Sequence, residues 1–293
     1  MHPLIESLIK TGPVVTDGSW GTQMQKRGLK RGECPDSWNL SHPDRVLEVA
    51  RQYVDAGSRI ILTNTFGASR LSLEKYKIGD SAVDINTAGV EISKKAAGDD
   101  ACVFASIGPS GKMLITRETT EDELQKSFEE QANAQARAGA DGIVVETMID
   151  IVEAGIAAMA AKQTGLPVIV SMVYDSGENK DCTMMGNTPE EAVEKIGKIG
   201  IDGIGANCGQ GIEAFLPLCK RMRQTTNLPI WIKPNAGLPE VVDDKTIFRT
   251  TAQEFVKYIP DLIRAGANFV GGCCGTDQGF VKAIREAVAE LKK

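Results

Sequence analysis

The chain has 293 residues, 42% hydrophobic and 5% aromatic, with a formal net charge of −6 at pH 7, and we expect one domain over residues 1–293. This acidic balance, without a basic stripe along the sequence, argues against nucleic acid as a partner. The sequence has no secretion signal and no apolar run near the ~20 residues that span a bilayer, which predicts a cytoplasmic protein without membrane contact.

Short apolar runs alternate along the chain with segments of helical periodicity, which is typical of stacked β/α units. Eight strands are predicted, at residues 14–17, 59–66, 102–107, 142–148, 167–174, 203–208, 229–233 and 268–272. Their apolar residues are nearly continuous, as expected of strands that are covered on both faces. We therefore predict an α/β fold of the (β/α)8 TIM-barrel type, with an open parallel sheet as the alternative.

Two of the predicted helices carry an apolar face with helical spacing. The faces consist of Val46, Val49, Ala50, Tyr53 and Val54 in the first helix and of Phe280, Ile284, Val288 and Leu291 in the last. Ser41 and Asp44 are placed to cap the first of these helices. A repeated phrase leads into four of the strands, and its glycine suits a left-handed helix C-cap; these glycines are Gly57, Gly139, Gly200 and Gly266.

Cysteines stand at the ends of two predicted strands. Cys208 ends the sixth strand in GANC, and Cys273 and Cys274 follow the eighth strand in GGCCGT. The segments that follow strands three, five and seven, at residues 108–120, 175–188 and 234–250, are longer and more polar than those that lead into strands. In a barrel the active site lies at this face, so we expect the three thiols to converge there.

A turn is needed after the eighth strand, because neighbouring strand residues normally point to opposite faces of the sheet. Gly271, Gly272 and Gly275 are expected to permit a turn that brings both cysteines to one ion. The absence of a secretion signal favours reduced thiols over disulfides for all seven cysteines. The remaining four are expected to be small buried hydrophobic residues: Cys34, Cys102, Cys182 and Cys219.

Three thiolates at about 2.3 Å would hold Zn²⁺ tetrahedrally with one position open, which is the arrangement of a catalytic site. Zinc with three thiolates has a formal charge of −1 and is a weak Lewis acid towards water or carbonyls. A thiol substrate suits it better, because a free thiol of pKa about 8.5 would lose its proton on binding and stay nucleophilic. The cysteines Cys208, Cys273 and Cys274 therefore predict a zinc site for thiol alkylation.

An ordered set of motifs resembles the homocysteine S-methyltransferase family, and in particular the homocysteine-binding module of cobalamin-dependent methionine synthase. The motifs are DGSWGTQ at 17–23, ILTNTFGA at 61–68, IGPSG at 107–111, VVETM at 144–148, GANC at 205–208, KPNAG at 233–237 and GGCCGT at 271–276. A more distant similarity is to betaine–homocysteine methyltransferase. The resemblance runs across essentially the whole chain and implies a zinc-dependent enzyme that forms methionine from homocysteine.

The resemblance also implies roles for single residues. Asp17 and Glu146 match carboxylates that hold the amino group of homocysteine, Gly18 and Thr63 match positions that bind its carboxylate, and Asn235 matches a residue near the metal. These residue types suit the binding of an amino acid, since an ammonium needs anionic acceptors and a carboxylate needs hydrogen-bond donors. Glu146 also ends the apolar run GIVVE, where an acid is costly unless it lies in a polar site or is paired.

The methyl donor is the part of the reaction that the sequence determines least. A cobalamin-binding module would bring a D-x-H-x-x-G loop, and neither histidine of the chain is preceded by Asp at that spacing. We therefore expect cobalamin only through a separate methylated corrinoid protein as partner. S-Methylmethionine and betaine are the alternative donors, although such cations favour aromatic cages and the chain has few aromatic residues.

Two alternatives come from other classes of protein. Lys233 ends the seventh strand, where a Schiff-base lyase could place its amine, and Gly271 and Gly272 could cradle a phosphate. A barrel with a structural zinc site that serves only as a docking subunit is the second alternative.

Overall fold

Ten β-strands are present in the computed structural model, which describes residues 1–242 and 245–291. They are β1 (Val14–Val15), β2 (Ile60–Leu62), β3 (Cys102–Ile107), β4 (Gly142–Met148), β5 (Val168–Met172), β6 (Gly203–Gly211), β7 (Ile230–Asn235), β8 (Glu240–Val242), β9 (Lys245–Ile247) and β10 (Ala267–Val270). All eight predicted strands are found. The antiparallel hairpin of β8 and β9 lies in the segment at residues 234–250, of which 243 and 244 fall outside the described residues.

Helices occupy most of the chain between the strands. They are α1 (Pro3–Ile9), α2 (Gly21–Lys26), α3 (Trp38–Ser41), α4 (Pro43–Ala56), α5 (Arg70–Leu73), α6 (Ala82–Ala97), α7 (Glu121–Arg137), α8 (Ile151–Lys162), α9 (Pro189–Gly197), α10 (Phe215–Thr225), α11 (Ala252–Val256), α12 (Ile259–Arg264) and α13 (Gln278–Glu290). Short 3₁₀ turns lie at Glu74–Tyr76, Gly79–Ser81 and Ile212–Ala214. Within the described residues, none of these helices is long and apolar enough to cross a bilayer.

Eight of the strands form one parallel sheet in the order β1-β10-β7-β6-β5-β4-β3-β2. The first and last strands of this order also meet, since Thr16 pairs with Ile60 in a parallel bridge and Arg59 N–H donates to Val15 O at 2.8 Å. The sheet is therefore nearly closed, and the helices surround it as in a TIM barrel. The prediction of this fold is confirmed, and the open-sheet alternative is wrong.

The barrel interior is filled in two layers of different chemistry. The lower layer is an apolar cluster built around Trp231, Phe269 and Phe104. Ile5 of α1 belongs to the same cluster, and His2 N–H donates to Asp202, which directly precedes β6. The helix α1 thus closes the end of the barrel where the strands begin. The upper layer, where the strands end, holds the polar residues of the site described below.

The apolar face predicted for α4 is buried in full, with Val46, Val49, Ala50, Tyr53 and Val54 at most 7% exposed. The predicted capping pair is wrong. Ser41 ends α3, the N-cap of α4 is His42 without a side-chain capping hydrogen bond, and Pro43 takes the first helical position. In α13, Leu291 is exposed because it follows the last helical residue. The four repeated glycines all have φ between 79° and 107°, as their role at helix ends requires.

Candidate active site

The thiols of Cys208, Cys273 and Cys274 converge at the carboxyl end of the barrel. Their three sulfur atoms lie within 4.8 Å of one another, and the Sγ atoms of Cys208 and Cys274 are 4.0 Å apart. All three side chains are half-buried and line the same cavity. The structure therefore brings together the three cysteines that the sequence singled out, from strand ends 65 residues apart or more.

An irregularity in β6 aims Cys208 at this cluster. The register between β6 and β7 shifts between Asn207 and Gly211, and Cys208 has a left-handed φ of 63°. Asn207 holds this bend, because its Oδ1 accepts from Thr147 N–H at 2.9 Å and from Ser171 Oγ at 2.7 Å. A non-glycine residue in this region of φ costs energy, and such residues concentrate at functional sites.

The turn that carries Cys273 and Cys274 is tied to the end of β7. Cys273 N–H donates to Pro234 O at 2.7 Å, and Cys274 O accepts from Ala236 N–H at 2.9 Å. Of the three glycines expected to permit this turn, only Gly275 has a positive φ, of 84°.

Gly271 and Gly272 serve a different purpose from the one predicted. A Cβ at Gly271 would lie 2.0 Å from Thr16 Oγ1, and one at Gly272 would lie 2.4 Å from Thr276 Oγ1. Both positions therefore need glycine because neighbouring segments pack directly against the backbone, and not because the turn needs a left-handed residue.

The three thiols fit a tetrahedral zinc ion. With zinc–sulfur bonds of about 2.3 Å at tetrahedral angles, the sulfur atoms would be about 3.8 Å apart. The observed separation of 4.0 Å between Cys208 and Cys274 is close to this value. Hydrogen bonds from Cys273 and Cys274 also lower the pKa of Cys208, so the cluster already stabilises a thiolate.

The other four cysteines lie apart from this cluster and, like it, are free thiols. Cys34 and Cys219 are buried, as predicted, and burial raises the pKa of Cys219 to about 12. Cys102 and Cys182 are only half-buried, so the prediction was wrong for them. Cys102 begins β3, and Cys182 lies in the segment after β5, where the chain is partly open to solvent.

A cavity of about 320 Å³ opens beside the three thiols. Glu146 lies in its wall and is 8% exposed; its Oε1 accepts from Ser106 Oγ at 2.6 Å. Burial raises the pKa of Glu146 to about 7, and the neighbouring Lys233 opposes this increase. Among the described residues, no donor bonds to its Oε2, so this oxygen is available to a ligand of the cavity.

Asp17 is fully buried and does not line the cavity. Its carboxylate forms an ion pair with Lys233, and its Oδ2 accepts from Trp20 Nε1 and from Leu62 N–H, both at 2.8 Å. Both oxygens are therefore engaged with the protein. The assignment of Asp17 to the ammonium of homocysteine stays a prediction.

The remaining predicted residues lie close to the thiols. Gly18 and Thr63 line the cavity, and Thr63 Oγ1 accepts from Ser106 N–H at 3.0 Å. Asn235 is buried at the end of β7, and its Oδ1 accepts from Cys274 N–H at 3.1 Å. Their contacts with a substrate or metal stay predictions.

Three residues of the site were not predicted as such. Asn207 positions Cys208, Asp36 lines the cavity, and Lys233, considered only as a lyase amine, lines it as an ammonium. The signal for Lys233 was available in the sequence, since a charged residue at the end of the apolar run IWIK must be paired or functional. No comparable signal marked Asn207.

Eight parallel strands, with polar and ionisable groups around a cavity at their carboxyl ends, define a TIM-barrel enzyme. The sequence model of the homocysteine S-methyltransferase family matches residues 14–288, and the chain therefore belongs to this family of methyltransferases. This membership contradicts both the lyase alternative and the docking-subunit alternative.

Similar proteins include methionine synthases from two mycobacteria. The chain is 26% identical over 299 residues to methionine synthase of Mycobacterium tuberculosis and 28% identical over 307 residues to that of Mycobacterium leprae. These matches cover 96% and 98% of the chain, which spans about a quarter of the length of either relative. The metallated form of the homocysteine methyltransferase MmuM from Escherichia coli has the same fold, with a TM-score of 0.81 at 20% identity over 97% of this chain and 99% of that one.

Proposed function

We propose that this protein is a zinc-dependent homocysteine S-methyltransferase that forms methionine. The observation that carries the proposal is the convergence of three thiols within 4.8 Å beside a cavity that also presents the free oxygen of Glu146. Cys208, Cys273 and Cys274 would hold the zinc ion, which would supply the positive charge that ionises a substrate thiol near neutral pH.

Glu146 is the residue best placed to bind the amino group of homocysteine. Glu146 lines the cavity, its Oε2 accepts no hydrogen bond from the described residues, and a charge-assisted bond to an ammonium would compensate for the burial of its carboxylate. Gly18 and Thr63 lie in the same wall and are proposed to contact the substrate carboxylate. Asn235 is proposed to support the metal site through its bond to the backbone of Cys274.

A methylated corrinoid protein is our first choice of methyl donor. Apolar side chains in the segments after the strands are unusually exposed, including Leu238 at 65%, Val241 at 76% and Ile115 at 70%. An open groove of about 920 Å³ adjoins the cavity and shares Pro35 with it. Of the three, Val241 lines this groove, and an exposed apolar side chain beside the cavity suits a macromolecular donor.

A small cationic donor, S-methylmethionine or betaine, is the second candidate. Trp20 and Phe66 both line the cavity, and aromatic faces attract sulfonium and quaternary ammonium groups. The low aromatic content of the whole chain is therefore no argument against a cationic donor at this site.

The experiment that tests the proposal is a methyl-transfer assay with homocysteine and five donors: methylcobalamin, methylated corrinoid protein, S-methylmethionine, S-adenosylmethionine and betaine. We expect methionine to form with the corrinoid donors in zinc-loaded protein and not after chelation of the metal. The Cys219→Ala variant serves as the control, because Cys219 is buried away from the cavity.

The outcome separates the parts of the proposal. Methionine formed only from S-methylmethionine or betaine would replace the corrinoid donor and leave the homocysteine site in place. Equal activity before and after complete removal of zinc would contradict the metal-dependent reaction.

A further inference from the structure

The helix α8 lies on the outside of the barrel, between α7 and α9. Its most exposed side chains are Val152, at 50%, and Met159, at 46%, and Gly155 is half-exposed between them. These three positions have the spacing i, i+3 and i+7, which places them on one side of a helix. They form the outward face of α8.

The outward face of α8 carries no charged residue. In α8, which the structure describes in full, Glu153 is buried and accepts from Ser110 N–H at 2.7 Å, and Lys162 is the last helical residue. The other helices of eight residues or more on the outside of the barrel have exposed acidic or basic side chains: α4, α6, α7, α9, α10 and α13. A helix that is apolar on every side is normally buried, so the outward face of α8 has the character of a contact surface.

The two neighbouring helices carry exposed charges that are separated by sign along their length. The helix α7 begins with Glu121 and Asp122 and ends with Arg137. On α9, Glu194 precedes Lys198, which is the C-cap residue. None of these five side chains forms an ion pair with another described residue. They are therefore available to charges on a second molecule.

A second copy of the chain fits this surface in one orientation. A two-fold axis perpendicular to α8 makes the two copies of α8 antiparallel and sets Val152 of each chain against Met159 of the other. Gly155 then lies at the crossing point, where the lack of a side chain lets the two helix axes approach closely.

The same axis sets α7 against α7 and α9 against α9, again antiparallel. The acidic start of each helix then meets the basic end of its copy, which favours association. A parallel pairing would bring the acidic starts of α7 and α9 together, and like charges would repel. The distribution of charge therefore selects the antiparallel arrangement.

We propose that the chain forms a two-fold symmetric dimer through the outward face of α8, with the two copies of α8 antiparallel. The occupant is a second copy because the face is complementary to itself both in its apolar contacts and in the charges beside it. The cavity beside the thiols is lined by none of the residues of α8, all of which are described, so the dimer leaves the candidate active site open. This inference does not depend on the proposed reaction.

The test is sedimentation velocity of the purified full-length chain over a range of concentrations. We expect the wild type to sediment at twice the mass of one chain at about 50 µM and to dissociate on dilution. Val152→Glu and Met159→Lys should each raise the dissociation constant at least about 10-fold, because each buries a charge against an apolar side chain.

Val83→Glu is the matched control. Val83 is 41% exposed and is the second residue of α6, as Val152 is the second residue of α8. The control should therefore tolerate glutamate in the same way within the protomer, and it should dimerise as the wild type does. Circular dichroism and urea unfolding check that every variant is folded.

The double variant Val152→Glu with Met159→Lys tests the orientation. In the antiparallel arrangement each new glutamate faces a lysine of the second chain, so the double variant should dimerise at least about 10-fold more tightly than either single variant. In a parallel arrangement each new charge would face its own copy, and the double variant would stay dissociated.

Three results would contradict the proposal. A wild-type chain that stays monomeric up to about 200 µM, or a Val152→Glu variant that dimerises as the wild type does, would overturn the interface. A double variant as dissociated as the single variants would overturn the antiparallel arrangement.

Discussion

At the scale of single residues, the first prediction concerns the metal-binding role of Cys208, Cys273 and Cys274. Replacing any one of them by alanine should abolish tight zinc binding, because two thiolates rarely hold a catalytic zinc ion. Cys219→Ala should bind zinc as the wild type does, since Cys219 lies in the core. Metal content after dialysis against a weak chelator measures this, with circular dichroism to check folding. Full zinc occupancy in all three variants would contradict the assignment.

Glu146→Gln should weaken the binding of homocysteine by about 2 kcal/mol or more, because it removes a charge-assisted bond to the ammonium. Zinc content should not change, since Glu146 bonds to Ser106 and not to a cysteine. Titration calorimetry with zinc-loaded protein measures the affinity. An unaltered dissociation constant would remove Glu146 from the substrate site.

Asp36 should make the stability depend on pH. Burial raises its pKa to about 6, above the ordinary value of 3.8. Below about pH 3 the carboxyl group of Asp36 is protonated in both the folded and the unfolded chain. As the pH rises to 6, Asp36 ionises first in the unfolded chain, so the free energy of unfolding decreases over this pH range. Above pH 6 the loss of stability stays constant.

Asp36→Asn should therefore be more stable than the wild type at pH 8, by about 3 kcal/mol, and the difference should fall below about 1 kcal/mol near pH 4. The amide can still accept the 2.9 Å bond from Gly67 N–H, so the local structure is retained. Urea unfolding of both proteins at each pH measures the difference in free energy of unfolding. A difference that does not change with pH would mean that the pKa of Asp36 is the same in the folded and the unfolded chain.

At the scale of the secondary-structure elements, substitutions at two glycines compare a helix end with a helix interior. Gly139 follows α7 with a φ of 94°, whereas Gly155 lies inside α8. A Cβ at Gly139 would meet no atom within 4 Å, and one at Gly155 would meet only Ile199 Cδ1, at 3.6 Å. The two sites differ in backbone conformation and not in available space.

Gly139→Ala should destabilise the protein by about 1–2 kcal/mol, because alanine is strained in the left-handed region. Gly155→Ala should stabilise it by about 0.5–1 kcal/mol, because it restricts the unfolded chain and suits a helix interior. Denaturant unfolding of the two variants gives both values. Changes of the same sign would show that packing, rather than φ, decides the effect.

At the scale of the whole molecule, the barrel depends on the apolar layer that α1 closes from below. Ile5 is fully buried in the cluster that contains Trp231 and Phe269. Ile5→Ala should lower the free energy of unfolding by about 2–5 kcal/mol through the lost burial and the cavity that remains. Ile115→Ala, at a side chain that is 70% exposed, should change it by less than about 0.5 kcal/mol.

Thermal and urea unfolding of the two isoleucine variants measure this. If Ile5→Ala unfolded like the wild type, α1 would be a peripheral segment and the barrel would be stable without it.

The sequence by itself predicted the eight strands of the barrel and the three cysteines that the fold brings together. Strands covered on both faces produce continuous apolar runs, and helices produce a 3.6-residue spacing, so both are visible in neighbouring residues. The vicinal pair Cys273 and Cys274 between glycines, together with Cys208 at another strand end, pointed to one site because the carboxyl ends of barrel strands converge.

Only the tertiary structure decided which of these residues face the cavity and which stand behind its wall. Asp17 and Lys233 are 216 residues apart in sequence, and their ion pair arises because β1 and β7 both flank β10. The left-handed backbone of Cys208 likewise depends on a register shift between two strands. Contacts of this kind are set by how distant segments pack, and no local pattern of residues encodes them.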